Sequence, residues 1–214
     1  PGIETIDVGG PTMIRAAAKN YQNVLVIVDP RDYKQAFDKS RQQLASKAFY
    51  HLSFYDSQIG KFFSENKFPD EVTIPLRKTN VLRYGENPHQ EGALYLMPNT
   101  NSPFAKLKHL WGRELSGTNI GDIQAGLETV RQFEESAACV IKHLSPCGIA
   151  TGSGAEEALD RAVKGDPISA FGGVIVLNKP MDLRAAKIIA TFKNEKEGNT
   201  DIVAVPEISP DALE

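Results

Sequence analysis

The chain holds 214 residues, 41% hydrophobic and 24% charged, with 24 Lys+Arg against 27 Asp+Glu for a formal net charge of -3. That length suffices for one large domain or two small ones with a buried core, and the slightly acidic balance argues against a protein that grips nucleic acid through a strongly basic surface. The longest apolar runs, such as Val24 to Val28, fall far short of the roughly 20 residues a membrane-spanning helix needs, and Cys139 and Cys147 form neither a metal-ligand pattern nor a disulfide framework, which fits a reducing, cytoplasmic setting.

Pro11 to Tyr21 reads as a helix, with Pro11 at its first position behind Gly9-Gly10 and the helix-forming Ala16-Ala17-Ala18 inside it. Val24 to Val28 reads as a β-branched buried strand that Asp29-Pro30 ends. Residues 32–63 are helical in pattern. Residues 67–78 carry two prolines and no helical period, and read as a linker between two domains. Beyond it the pattern predicts strands over 92–97, 138–142, 173–177 and 202–205. Helices are predicted over 119–135, 155–164 and 183–192, with a polar surface loop over 193–200. This alternation argues for an α/β fold with mainly parallel strands. No internal repeat is present. The sequence opens at Pro1 without an initiator Met and closes on a pattern that starts a helix, with Ser209 as cap and Pro210 at the first position. Both ends predict a piece of a longer polypeptide.

Four constellations stand out. In the first, Asp7-Val8-Gly9-Gly10-Pro11 leads to Arg15-Ala16-Ala17-Ala18-Lys19-Asn20. Two glycines before a helix N-terminus let backbone N–H groups approach an anion, and Arg15 and Lys19 share a helix face. A capped helix with an exposed Lys fits the same string. In the second, Arg83-Tyr84-Gly85 precedes Asn87-Pro88-His89-Gln90. Arg as a forked cation and Tyr as a neutral donor can hold a phosphate, or the segment is a turn with a surface Arg. His89 reads as structural.

In the third, Lys142-His143 ends a buried strand that reads as running into a turn at Pro146 and Gly148. Parallel sheets place ligands beyond the carboxyl ends of strands. Successive strand residues face opposite ways, so both side chains reach one site only if the strand breaks there. A snorkelling Lys beside a hydrogen-bonded His is the plainer alternative. In the fourth, Asp166 to Gly173 ends in Gly172-Gly173, which permit close backbone approach to a ligand or simply a tight turn.

Together these strings closely resemble the family of bifunctional purine-biosynthesis enzymes that act as aminoimidazole carboxamide ribonucleotide (AICAR) formyltransferase and inosine monophosphate (IMP) cyclohydrolase. The family pattern Asp-Ile/Val-Gly-Gly followed by Arg-Ala-Ala-Ala-Lys-Asn is matched almost without departure, and the later motifs agree over essentially the whole chain. The resemblance implies an α/β fold in two pieces. Residues 1–73 would be the C-terminal part of a Rossmann-like, methylglyoxal-synthase-like cyclohydrolase domain. Residues 74–214 would be the first half of a cytidine-deaminase-like formyltransferase domain. It implies formyl transfer from 10-formyltetrahydrofolate to AICAR and closure of formyl-AICAR to IMP, with folate as co-substrate, no tightly bound cofactor and no metal.

The resemblance also implies roles. His143 is the base and Lys142 the stabiliser of developing oxyanion charge. Arg83 and Tyr84 contact the ribonucleotide phosphate, Gly172 lies against the nucleotide, and Asp201 matches a substrate-contacting acid. Lys19 shuttles protons, while Asp7, with Val8 beside it, bonds the carboxamide or formyl group. Small-molecule substrates and a homodimer follow as partners, with no nucleic acid and no membrane. Two departures appear: the stretch between Tyr33 and Arg41 is short for the family, and the family's domains begin before Pro1 and continue past Glu214. The chain would then hold the last part of one active site and the first part of another. A nucleotide-binding or structural module without activity of its own is the alternative.

Overall fold

The computed structural model of the chain describes residues 2–194 and 199–214. Contacts divide it into two compact units, Pro1–Thr79 with Tyr95–Leu107, and Asn80–Leu94 with Lys108–Glu214.

In the first unit, helix α1 spans Gly9–Lys19 and helix α2 spans Arg41–Phe63. Helix α1 begins two residues before the predicted start, so the glycine pair forms its first turn. The cause is Asp7, whose Oδ1 accepts the Gly10 N–H at 3.0 Å and so satisfies a donor that the helix itself leaves open. Residues 32–63 are not one helix. Pro30–Gln35 forms a 3-10 turn capped by Asp29, whose carboxylate accepts the Arg31 N–H at 3.0 Å. The helix then starts afresh at a complete capping box: Ser40 Oγ accepts the Gln43 N–H and Gln43 Oε1 accepts the Ser40 N–H, both at 3.1 Å.

Ala18 from α1 and Ala45 and Ala48 from α2 bring the two helices together over Val26, flanked by Ile14, Ala17, Tyr21 and Val28. The predicted strand at Val24 to Val28 is not one. The segment has no regular structure, because among the described residues no neighbour pairs with it, and a strand exists only as part of a ladder. Residues 67–76 form neither helix nor strand, whereas Arg77 and Lys78 of the predicted linker already belong to strand β1 (Arg77–Val81), which pairs with β2 (Ala93–Leu96).

The second unit is built on a four-stranded sheet in the order β4-β3-β5-β6, from β3 (Ser136–Lys142), β4 (Ser145–Gly152), β5 (Gly173–Leu177) and β6 (Thr200–Ala204). The α/β class is as expected, but the mainly parallel sheet is not. β3 pairs antiparallel with both β4 and β5, and only β5 and β6 run parallel. The reason is the turn after β3. Lys142 pairs with Ser145, leaving only His143 and Leu144 to reverse the chain, and so short a loop can join only antiparallel strands. The reversal comes before Pro146 and Gly148, which were read as the turn and instead lie on β4. Helix α6 (Leu183–Asn194) supplies the long connection that the parallel β5–β6 pair requires.

Helix α3 (Gly117–Val130) packs on one face of this sheet. A Cβ on its Gly126 would stand 2.3 Å from Val176 Cγ2, and Cys139 Sγ approaches the Gly126 carbonyl at 3.6 Å. On the other face, Ala138, Val140, Ile175 and Leu177 meet Ala158, Leu159, Ala162 and Val163 of helix α4 (Ala155–Gly165), with Ala185 and Phe192 of α6. β5 is buried from end to end because both faces are covered. Helix α3 ends five residues before Glu135. Asn178 takes over there, its Nδ2 donating to the carbonyls of Phe133 and Glu135 at 3.0 and 2.8 Å while its Oδ1 accepts the Ala137 N–H at 2.8 Å. Short helices α5 (Pro167–Ala170) and α7 (Pro210–Leu213) complete the unit. Of the loop predicted over 193–200, residues 193–194 close α6, Thr200 opens β6, and 195–198 lie outside the described residues. Among the described residues no helix is long and apolar enough to cross a membrane.

Candidate functional site

Four of the residues singled out from the sequence meet at one end of the second unit's sheet. Lys142 is the last residue of β3 and His143 the first of the turn. The β3–β5 ladder ends where Ile141 pairs with Val174, so Lys142 and His143 leave β3 at the end where Gly172 and Gly173 lead into β5. Gly173 pairs in turn with Thr200, which places Asp201 at the same end. Because the sheet is mixed, this end is the carboxyl end of β3 but the amino end of β5 and β6. The site therefore does not lie beyond the carboxyl ends of parallel strands, as the sequence reading supposed.

Geometry at this end is set by backbone as much as by side chains. The Lys142 Nζ donates to the Phe171 carbonyl at 2.7 Å, which holds the ammonium beside Gly172. Gly172 has φ 69°, and its N–H donates to the Asn199 carbonyl at 2.6 Å. That backbone region is strained for side-chain-bearing residues, while no atom lies within 4 Å of where a Cβ would stand. Glycine is therefore demanded here by conformation rather than by crowding. Between Gly173 and Val174 the β5–β6 register slips, so Asp201 is the extra residue of a bulge, and it is exposed. Bulges re-aim a side chain at a strand end.

His143 is exposed, with φ 54°, and Leu144 follows with φ 65°. The break in the strand that the sequence required for Lys142 and His143 to serve one site is thus present, as a two-residue turn with both central residues in the left-handed region. Leu144 is tied to α3: its N–H donates to Asp122 Oδ1 at 2.8 Å.

Arg83 and Tyr84 belong to the same unit and are anchored on the same helix. The Gly117 N–H donates to the carbonyls of Tyr84 and Gly85 at 2.9 and 3.0 Å, and the Arg83 N–H donates to the Leu115 carbonyl at 2.8 Å. A Cβ on Gly117 would come within 2.8 Å of the Gly85 carbonyl oxygen, so the close approach needs glycine. Buried Ser116 caps α3 through a second capping box with Asn119. The Arg83 guanidinium lies over the Tyr84 ring, 4.8 Å from its centroid, and its Nη2 reaches the Tyr84 hydroxyl at 3.4 Å. Stacking of this kind presents both donor sets on one exposed surface. Gly117 and Asp122 are five residues apart, about 7.5 Å along the helix, so the Arg-Tyr pair and the His143 turn are both referenced to the opening turns of α3. His89 takes no part in these contacts. The Asn87–Gln90 turn is closed by Gln90, whose side-chain oxygen accepts the Glu86 and Asn87 N–H groups.

The first constellation lies in the other unit and is arranged differently. Asp7 Oδ1 takes the Gly10 N–H, and the Asp7 N–H donates to the Tyr55 hydroxyl at 2.8 Å. The glycine N–H that the sequence offered to an anion is thus engaged by the chain's own carboxylate. Val8 is 70% exposed. Lys19 is exposed at the far end of α1, about 14 Å along the axis from Gly10. Asp7 and Lys19 thus stand at opposite ends of α1. Arg15, on the Lys19 face, pairs with Asp56 of α2.

Asp122 and the Phe171 carbonyl escaped the sequence reading. The first contacts a residue 22 positions away with no shared motif, and the second is a backbone group that any residue provides. Among the described residues no group of three or more His, Cys, Asp or Glu could hold a metal ion.

A family model described as the AICARFT/IMPCHase bienzyme matches residues 17–214. Curated relatives agree, each bearing the name bifunctional purine biosynthesis protein PurH. That of Halalkalibacterium halodurans is 41% identical over 226 residues, and that of Oceanobacillus iheyensis is 41% identical over 225. A third, from Clostridium botulinum, is 41% identical over 222 residues. Each alignment covers 99% of this chain and 43% of the relative, so the chain spans less than half the length of the proteins it matches. On the family match and this identity, the chain belongs to the AICARFT/IMPCHase bienzyme family.

Proposed function

We propose that the chain serves the last two steps of IMP synthesis, transfer of a formyl group from 10-formyltetrahydrofolate to AICAR and closure of formyl-AICAR to IMP. In this reading residues 1–73 are the C-terminal part of a methylglyoxal-synthase-like cyclohydrolase domain. Residues 74–214 are the first half of a cytidine-deaminase-like formyltransferase domain, in a cytoplasmic homodimer. The observation that supports it most is the gathering of Lys142, His143, Gly172 and Asp201 at one sheet end, whose turn is tied through Leu144 to the helix that anchors Arg83 and Tyr84.

The chemistry needs these groups. The AICAR amine is conjugated into its ring and is a poor nucleophile. As its nitrogen attacks the formyl carbon, His143 removes the amine proton, and as the bond from that carbon to the folate nitrogen breaks, the protonated imidazole gives the proton to the departing nitrogen. The Lys142 ammonium offsets negative charge on the formyl oxygen. Arg83 and Tyr84 hold the ribonucleotide phosphate. Gly172 gives the nucleotide room against the backbone, and Asp201 accepts hydrogen bonds from it. Ring closure is intramolecular, so holding the formyl carbon against the carboxamide nitrogen removes much of its barrier. Lys19 moves protons there, and Asp7, beside Val8, bonds the carboxamide.

The test is a pair of substitutions in the full-length protein, with both reactions assayed. His143→Ala is expected to abolish formyl transfer and leave ring closure intact, and Lys19→Ala is expected to do the reverse. Loss of both activities in either folded variant overturns this division of labour.

A further inference from the structure

The backbone that carries His143 is held in a costly conformation. Both His143 and Leu144 lie in the left-handed region, at φ 54° and 65°. Such a conformation is unfavourable for an L-residue, and turns of this hand favour Asn, Asp or Gly. Strain of this kind persists only where the surroundings over-determine it. Two contacts from α3 do so. Asp122 Oδ1 accepts the Leu144 N–H at 2.8 Å. Leu144 also seats over Gly121, where an added Cβ would stand 2.7 Å from Leu144 Cδ2.

We propose that Asp122 is a positioning residue for His143. Its carboxylate fixes the peptide between His143 and Leu144, and so fixes the direction in which the imidazole leaves the end of β3 beside the Lys142 ammonium. Gly121 provides the space that lets Leu144 seat. The proposal rests on the reading of His143 as the base. It adds that α3 sets the base and the Arg83–Tyr84 grip against each other, the first through Asp122 and the second through the Gly117 N–H.

The experiment measures formyl transfer by the full-length protein, with circular dichroism and the thermal unfolding midpoint of the same preparation as the control for folding. Asp122→Ala is expected to lower kcat roughly 100-fold, the scale of a base displaced by about an ångström. KM for AICAR is expected to stay unchanged, because the phosphate grip is elsewhere. Asp122→Asn keeps an acceptor oxygen and is expected to recover most of the loss. Adding Leu144→Gly to Asp122→Ala is expected to do the same, since glycine takes the left-handed conformation freely. Should Asp122→Ala not fold, Asp122→Glu keeps the charge but moves the oxygen by one methylene, and kcat is expected to fall with KM held. An unchanged kcat in the folded variants, a change in KM alone, or a loss that neither Asn nor Leu144→Gly relieves overturns the positioning role. His143→Ala separates the two readings. If it leaves formyl transfer intact, the base assignment fails. If it abolishes transfer while the Asp122 variants stay fully active, the positioning role alone fails.

Discussion

Asp32 is buried with its carboxylate between two ammonium groups, Lys39 at 2.6 Å and Lys47 at 2.7 Å, and Lys47 also reaches Asp29 at 2.6 Å. The Lys39 and Lys47 hydrogen bonds hold the Asp32 carboxyl below the usual carboxylate range. The Arg31 side chain, with Lys47 behind it, does the same for Asp29. Both acids therefore stay charged in the folded chain at a pH where the unfolded chain, with carboxyls near about 3.9, takes up protons. The sign follows: their contribution is complete above that value and is lost as the pH falls through it toward the folded-state values. Urea midpoints measured from about pH 6 down to about pH 3 are expected to fall, and Asp32→Asn is expected to start lower at pH 6 and fall less. An equally steep fall in the variant would place the acid sensitivity elsewhere. Cys139 is the opposite case, a thiol pushed up to about 12 by burial between β3 and α3, which makes it a packing residue rather than a nucleophile.

At the scale of elements, glycines separate packing from propensity. A Cβ on Gly148 of β4 would stand 2.0 Å from the Ala162 carbonyl oxygen of α4, a backbone atom that cannot swing aside. Gly148→Ala is expected to destabilise by at least the 1–3 kcal/mol typical of an overfilled core. Gly60, exposed in α2, has nothing within 4 Å, so Gly60→Ala is expected to stabilise by up to about 1 kcal/mol through helix propensity. Denaturant titration of both variants checks the pair, and a shared sign would contradict this reading. The same glycines explain which elements could be read in advance. β5 was legible because both its faces are covered and every position is apolar. β4 was hidden because Pro146 and Gly148 carry the marks of a turn, and nothing local reveals that Gly148 is there to let α4 approach. The segment from Val24 to Val28 misled in the other direction, since a β-branched run states a preference but cannot supply a neighbour.

For the whole molecule, the α/β class was readable from alternation, whereas strand direction was not. Direction turned on a two-residue loop of His143 and Leu144, neither a usual turn former. The candidate site divides the same way. Lys142, His143, Arg83 and Tyr84 could be named because their types and neighbours form compact strings. Asp122 and the carbonyls of Phe171 and Asn199 could not, because only the fold brings them near. The sheet order carries one more consequence. β4 is one of the two outer strands of its sheet among the described residues, with a slip in register that leaves Cys147 as the extra residue between Pro146 and Gly148. Outer strands invite stray chains to add to them, and a proline with a bulge blunts that invitation. Pro146→Val should therefore leave the fold nearly as stable yet shorten the lag before light scattering rises in a concentrated, gently warmed solution; an unaltered lag would mean that aggregation is checked elsewhere.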